Sequence, residues 1–196
     1  VRLAAAIRKR RMVRSYADRP VPAEMLEELI DFGVRAPSAG FSQGVSLQLL
    51  EGADLQRFWQ VTVARETKWL ERMSTAPVLI LVWASKDAYL DRYAEPDKGW
   101  TDRDEDRWTA PYWFVDAGMA AENILLGAVA HGLGACFFGV PPEKVGAVRR
   151  EFGVPEEQLS VGVISLGWPA EGEAQSGSPR HRGRIAREHQ VHRGNW

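Results

Sequence analysis

The chain has 196 residues, enough for one domain with a sizeable core, and its 45% hydrophobic and 26% charged composition is that of a globular protein rather than a disordered or fibrous one. A formal net charge of −1 gives no reason to expect nucleic-acid binding, and no uninterrupted apolar run approaches the ~18 residues that read as a membrane span. Cys136 is the single cysteine, so no intrachain disulfide can form and a cytoplasmic setting is expected; residues 1–15 are too basic to read as a secretory signal.

In chain order, residues 3–9 read as a short helix. A second helix opens at Pro22 and runs to about Arg35, with Met25, Leu26, Leu29, Ile30 and Val34 at three- and four-residue spacing and acids in its first turns. Residues 45–50 read as a strand, and residues 53–73 as a helix with a break near 61–63. The unbroken apolar run 78–84 predicts a buried central strand. Residues 86–109 are acidic and aromatic without a clear period. Residues 111–131 form a long helix with little polar face, which belongs in a core or an interface, and Gly132 and Gly134 end it. A strand or tight loop at 135–140, a helix at 142–152 and a strand at 159–167 follow. This order predicts one α+β or mixed α/β sandwich over residues 1–196, around a four- or five-stranded sheet. Residues 171–179, rich in Gly and Ser, predict an exposed loop leading into a C-terminal arm, 171–196 in all. No strand precedes a GxGxxG turn, so a dinucleotide-binding Rossmann half is not expected.

Charge is distributed unevenly. Residues 1–19 carry seven basic side chains and one acid, and residues 180–193 carry five and one. With those twelve and two set aside from the totals of 25 and 26, the body holds 13 basic and 24 acidic residues. Two readings fit: a pair of solubilising tails, or two ends converging on one small polyanion. Arg10, Arg11 and Arg14, with Arg10 and Arg14 at i and i+4, suit a phosphate gripped by charge-assisted forks, or else a solvated basic helix end. Residues 36–43 (Ala-Pro-Ser-Ala-Gly-Phe-Ser-Gln) combine small residues that admit close backbone approach with the hydrogen-bonding groups of Ser38, Ser42 and Gln43. Residues 132–139 (Gly-Leu-Gly-Ala-Cys-Phe-Phe-Gly) read as a helix cap and buried strand, or as backbone groups offered to a planar ligand.

Taken together, these segments resemble the nitroreductase family. Its Arg-Arg-Ser-x-Arg-x-Phe pattern falls on residues 10–16, its Ala-Pro-Ser-x-x-Asn-x-Gln-Pro-Trp on residues 36–45, its Gly-Leu-Gly on 132–134, and its late Arg followed by Val-His on Arg184 and Val191-His192. The resemblance covers nearly the whole chain. It implies an α+β fold with a mixed, largely antiparallel sheet flanked by helices, an extended C-terminal arm, and a homodimer with FMN at the subunit interface. It also implies site residues. Arg10, Arg11, Met12 and Arg14 would meet the flavin phosphate together with Arg182 and Arg184. Pro37, Ser38, Ala39, Phe41 and Gln43 would reach the flavin of the partner. Backbone groups of Cys136, Phe137, Phe138 and Gly139 would face the ring. The implied activity is transfer of electrons from NADH or NADPH through FMN to a quinone, nitroaromatic or similar conjugated acceptor by a ping-pong mechanism, with the flavin rather than a side chain carrying the chemistry.

Three positions depart from the family pattern. Met12 stands for a small hydroxyl residue, Phe41 for Asn, and Gly44-Val45 for Pro-Trp. They leave room for two alternatives. One is the flavin-consuming branch that makes the lower ligand of cobalamin, to which Phe41 is similar and Met12 is not. The other is a flavin-binding dimer without turnover. Phe41, Trp100, Trp108 and Trp113 are candidates for a lid over the flavin, and the aromatic residues of 86–114 equally suit an anchor of that insert on the core. Cys136 has no charged neighbour in sequence and reads as a packed small residue in its side chain. His189 and His192 lack further metal ligands.

Overall fold

The computed structural model describes residues 2–63, 65–174 and 178–196, with the side chain of Arg180 outside the description; part of the expected loop at 171–179 therefore lies outside it. Four strands, β1 (Val45–Glu51), β2 (Val78–Ser85), β3 (Gly134–Phe138) and β4 (Gln158–Gly167), form one sheet in the order β1-β2-β4-β3, each neighbouring pair antiparallel. Helices α1 (Leu3–Lys9), α2 (Ala23–Val34), α3 (Ala53–Thr62), α4 (Lys68–Met73), α5 (Lys86–Ala94), α6 (Tyr112–Ala130) and α7 (Pro142–Phe152) flank it. This is the expected α+β class at its lower strand number. Parallel pairing among the described residues is a single bridge between Met12 and Ala135.

The apolar run of β2 follows from burial on both faces. Val78, Ile80, Val82 and Ala84 point into a core shared with α2 and α6. Leu79, Leu81 and Trp83 point into a second core with Phe58 and Trp59 of α3 and Val148 of α7. With neither side meeting water, no position selects a polar residue. The α3–α4 break falls where Val61, Thr62 and Val63 crowd three β-branched side chains together; Val63 turns extended and Thr67 restarts the helix by accepting a hydrogen bond from Leu70 N–H at 3.1 Å.

The structure corrects three expectations. Residues 86–109 are not aperiodic throughout: they open with α5, capped by the Ser85 hydroxyl on Ala88 N–H at 3.2 Å. Nine residues with two buried side chains were too few to show a period. The third strand stops at Phe138 because Pro141 and Pro142 lead directly into α7. Third, Arg10 and Arg14 do not share a helix face. Helix α1 ends at Lys9; Met12 then bridges to Ala135 of β3, and Tyr16 bridges to Pro169 just after β4. Val13 N–H donates to Ala135 O at 2.9 Å, Ala17 N–H to Trp168 O at 2.8 Å and Ala170 N–H to Ser15 O at 3.0 Å, so this segment satisfies its backbone on strand edges rather than within a helix.

Helix α6 is by length and composition apolar enough to cross a membrane, and half of it is buried within this fold. Its inner side, including Ala117, Ala121, Ile124 and Ala128, packs in the core with α2 and the sheet, while Phe114 in the first turn and Val115 are exposed. Gly134 permits the close approach of the arginine segment: a Cβ there would lie 2.6 Å from Val13 Cγ1. Gly134→Ala is therefore expected to destabilise the fold by about 1–3 kcal/mol, seen as a lower urea midpoint with an unchanged slope. An unchanged midpoint would show that the edge docking tolerates a wider spacing.

Candidate functional site

The two basic chain ends meet. Arg10, Arg11, Met12 and Arg14 of the extended segment and Arg182, Gly183 and Arg184 of the C-terminal arm, with Ser178 and Pro179, line one pocket of about 480 Å³. The convergence reading of the charge asymmetry therefore holds as geometry. Behind the pocket stands a residue that sequence reasoning missed. The Glu173 carboxylate, 3% exposed, lies 2.6 Å from Arg72 Nη2 and 3.7 Å from Arg11 Nη1, and accepts a hydrogen bond from Arg14 N–H at 3.1 Å. Arg11 Nη2 donates to the Glu173 carbonyl at 2.7 Å, and Arg10 Nε lies 3.2 Å from Glu122 on α6. Arg11 Nη1 is buried without a hydrogen-bond acceptor. Its nearest anionic group is the Glu173 carboxylate, an ion pair at 3.7 Å.

The strand that follows contributes less freely than expected. Phe137 N–H is already engaged by Met12 Sδ at 3.4 Å, so the side chain that replaces a small hydroxyl residue takes up one backbone donor. The Phe138 ring stacks on Trp59 (5.8 Å between centroids, 12° between planes) and meets Trp69 edge-on at 5.4 Å. With Gly139 it lines a separate pocket of about 310 Å³ between α3, α4 and the start of α7. The Cys136 side chain is buried, and burial raises its thiol above the ordinary range, which suits packing rather than redox chemistry.

The loop at 37–43 lies elsewhere: none of its residues lines the arginine pocket of its own chain. Its backbone is strained. Gly40, Phe41 and Gln43 have φ of 60°, 58° and 52°, and for the two non-glycine residues this costs on the order of 1–3 kcal/mol each. The surroundings hold it there. Ala39 N–H donates to Asp116 Oδ2 at 2.8 Å, Gln43 N–H to Ser38 Oγ at 3.0 Å, and Arg92 Nε to Gly40 O at 2.8 Å. A Cβ on Gly40 would lie 2.6 Å from the Tyr93 ring, and one on Gly44 would lie 2.6 Å from the Tyr89 ring. Asp116 was not foreseen, although a lone acid in the apolar first half of a core helix was a visible signal.

Of the four proposed lid rings, Phe41 is 74% exposed while Trp113 is 6% exposed and belongs to the core. Trp108 is half-buried at the centre of a cluster, with the rings of Tyr89, Tyr93, Trp100, Tyr112 and Trp113 at 4.4 to 6.4 Å. Trp113 is thus committed to anchoring within the core of its own chain, because a ring enclosed by others has no face left to offer a ligand.

Comparison with known proteins bears on the fold and the family. Residues 7–168 match the model of the Nitroreductase family. A relative from Methanothermobacter thermautotrophicus, described as an NADH dehydrogenase/NAD(P)H nitroreductase, is 32% identical over 178 residues, covering 85% of this chain and 76% of that protein. An NADH dehydrogenase of Thermus thermophilus is 29% identical over 192 residues, covering 89% and 88%. Among solved structures, one described as a nitroreductase in complex with FMN, from Desulfovibrio desulfuricans, superposes with a TM-score of 0.74 over 100% of this chain and 98% of that one; at 21% identity this is a likeness of fold.

Two phenols beside these elements are buried. Tyr16 Oη donates to Val13 O at 2.7 Å and lies 2.7 Å from Ser165 Oγ, and Tyr89 Oη donates to Asp116 Oδ2 at 2.8 Å. Burial, above all, raises both above the ordinary phenol range, and the hydrogen bond to Asp116 adds to this at Tyr89. The native state thus keeps protons that the unfolded chain releases near pH 10, so the stability these groups contribute is intact below about pH 10 and lost above it. In an alkaline titration, two of the four tyrosines are expected to yield phenolate absorbance only together with unfolding. Ionisation of all four before the far-ultraviolet dichroism changes would contradict the burial.

Proposed function

The chain belongs to the nitroreductase family, and from that membership we propose that it is an FMN-dependent oxidoreductase that moves electrons from NADH or NADPH to a quinone, nitroaromatic or similar conjugated acceptor in a ping-pong cycle. The observation that carries the proposal is the arginine pocket. The FMN phosphate brings about −1.5 to −2 charges, and guanidinium groups from both chain ends match that charge and its oxygen geometry. The mark of fit is that Arg10, Arg11, Arg14, Arg182 and Arg184 all line the one pocket. Arg10, Arg11 and Arg14 would hold the phosphate from one side and Arg182 and Arg184 from the other. Bound FMN supplies the two-electron chemistry that no side chain here provides. The protein's own part is to bind, orient and shield.

We also propose a homodimer. Leu3 and Ile7 of α1, Phe114 and Val115 of α6, and Ile185, Val191 and Trp196 of the arm are exposed apolar side chains that a second copy would cover. Phe41 and its loop, remote from the arginine pocket of their own chain, suit a contribution to the partner's flavin. The proposed compartment is the cytoplasm, where the unpaired Cys136 stays reduced. The exposed Phe41 also favours a second reading, consumption of the flavin itself. Aerobic incubation with reduced FMN separates the two: intact flavin with acceptor turnover supports the reductase, and net flavin loss supports the alternative.

The purified dimer is expected to bind FMN more tightly than riboflavin, which lacks the phosphate. Arg182→Ala and Arg184→Ala should each weaken FMN, but not riboflavin, by about 10- to 100-fold, the cost of a lost charge-assisted hydrogen bond. Titration by flavin fluorescence reads both. Equal affinity for the two flavins would remove the arginine pocket from the account.

A further inference from the structure

The strained loop that presents Phe41 is anchored by residues that lie away from the arginine pocket. Asp116 is the one acid in the first half of α6 and is 2% exposed. Its Oδ2 accepts both Ala39 N–H and Tyr89 Oη–H, each at 2.8 Å. Arg92 of α5 donates through Nε to Gly40 O at 2.8 Å, while its Nη1 and Nη2 grip the Asp97 carboxylate at 2.7 and 2.8 Å. The donor to Gly40 is thereby fixed in direction. These two contacts bracket the turn: one holds the residue before Gly40, the other its carbonyl. The next residue is Phe41, left-handed and exposed. A backbone of this kind persists only where its surroundings over-determine it, and such strain gathers at ligand clamps.

We infer that Asp116 and Arg92 are positioning residues for acceptor recognition, holding the loop so that Phe41 stands out as one aromatic wall of the acceptor site. This rests on the flavin-enzyme reading above. The helix α5 and its aromatic cluster then form a pedestal for the loop rather than a cover over the flavin. The ligand class is a planar conjugated acceptor able to stack on a phenyl ring.

The test uses the FMN-loaded dimer with menadione, an acceptor that must stack, and ferricyanide, a small inorganic acceptor that need not. Asp116→Ala and Arg92→Ala are each expected to raise the KM for menadione about 10-fold or more, with kcat and the ferricyanide rate within about twofold, because a displaced wall loses binding while electron transfer from the flavin is kept. Asp116→Asn keeps an oxygen able to accept both bonds and is expected to stay near wild type. Arg92 is partly exposed, so its variant folds whether or not the buried Asp116→Ala does. Parallel changes for both acceptors, or unchanged menadione kinetics in Arg92→Ala, would overturn the inference. A wild-type dimer that reduces neither acceptor would overturn the flavin-enzyme reading and this inference with it.

Discussion

The docking of residues 12–17 on Ala135 of β3 and on the chain just after β4 is the constraint on which the arginine pocket depends. The extended segment takes Ala135 O through Val13 N–H, and Tyr16 clamps it from below through Val13 O and Ser165. An edge strand otherwise presents unpaired backbone groups to any chain that passes. Here the N-terminal segment covers that edge and aims its arginines outward together. The same segment receives the chain after β4, through Ala170 N–H on Ser15 O, and that brings Glu173 to Arg11 and Arg72. Two chain ends separated by some of the longest sequence distances in the molecule are thus joined by one run of strand-like pairing.

The ion pairs of Glu173 have a consequence for the pocket. A cluster of guanidinium groups repels itself, and without a counter-ion it would splay into water. Glu173 sits behind the cluster rather than within the lining, so it offsets part of that repulsion while the pocket face keeps its positive charge. A buried pair of this type adds little net stability over an apolar substitute, but it defines one arrangement. That keeps the arginines of the pocket in one relative placement.

The loop at 37–43 follows a different logic. The loop that carries Phe41 has no strand to lean on, and its left-handed residues are held by side chains from α5 and α6. The aromatic residues gathered around Trp108 pack that support in place. Rigid backing of this sort allows a short loop to project a large ring into solvent without collapse onto the surface. The family's Asn is absent at Phe41, so the loop presents stacking surface where a relative would present an amide.

Sequence by itself determined the elements whose signal is local. The double-faced burial of β2 forced an apolar run, the β-branched crowd at 61–63 broke a helix, the order of elements gave the α+β class, and the uneven charge left open a meeting of the basic ends that the family resemblance implied. Tertiary structure alone decided the rest. That Arg14 N–H meets Glu173, that Met12 takes the Phe137 N–H, that Glu173 backs Arg11 and that Asp116 anchors Ala39 depend on partners 77 to 162 residues away. A hydrogen bond or ion pair needs two groups within a few ångströms, and a period read along one segment carries no record of what another segment brings to it.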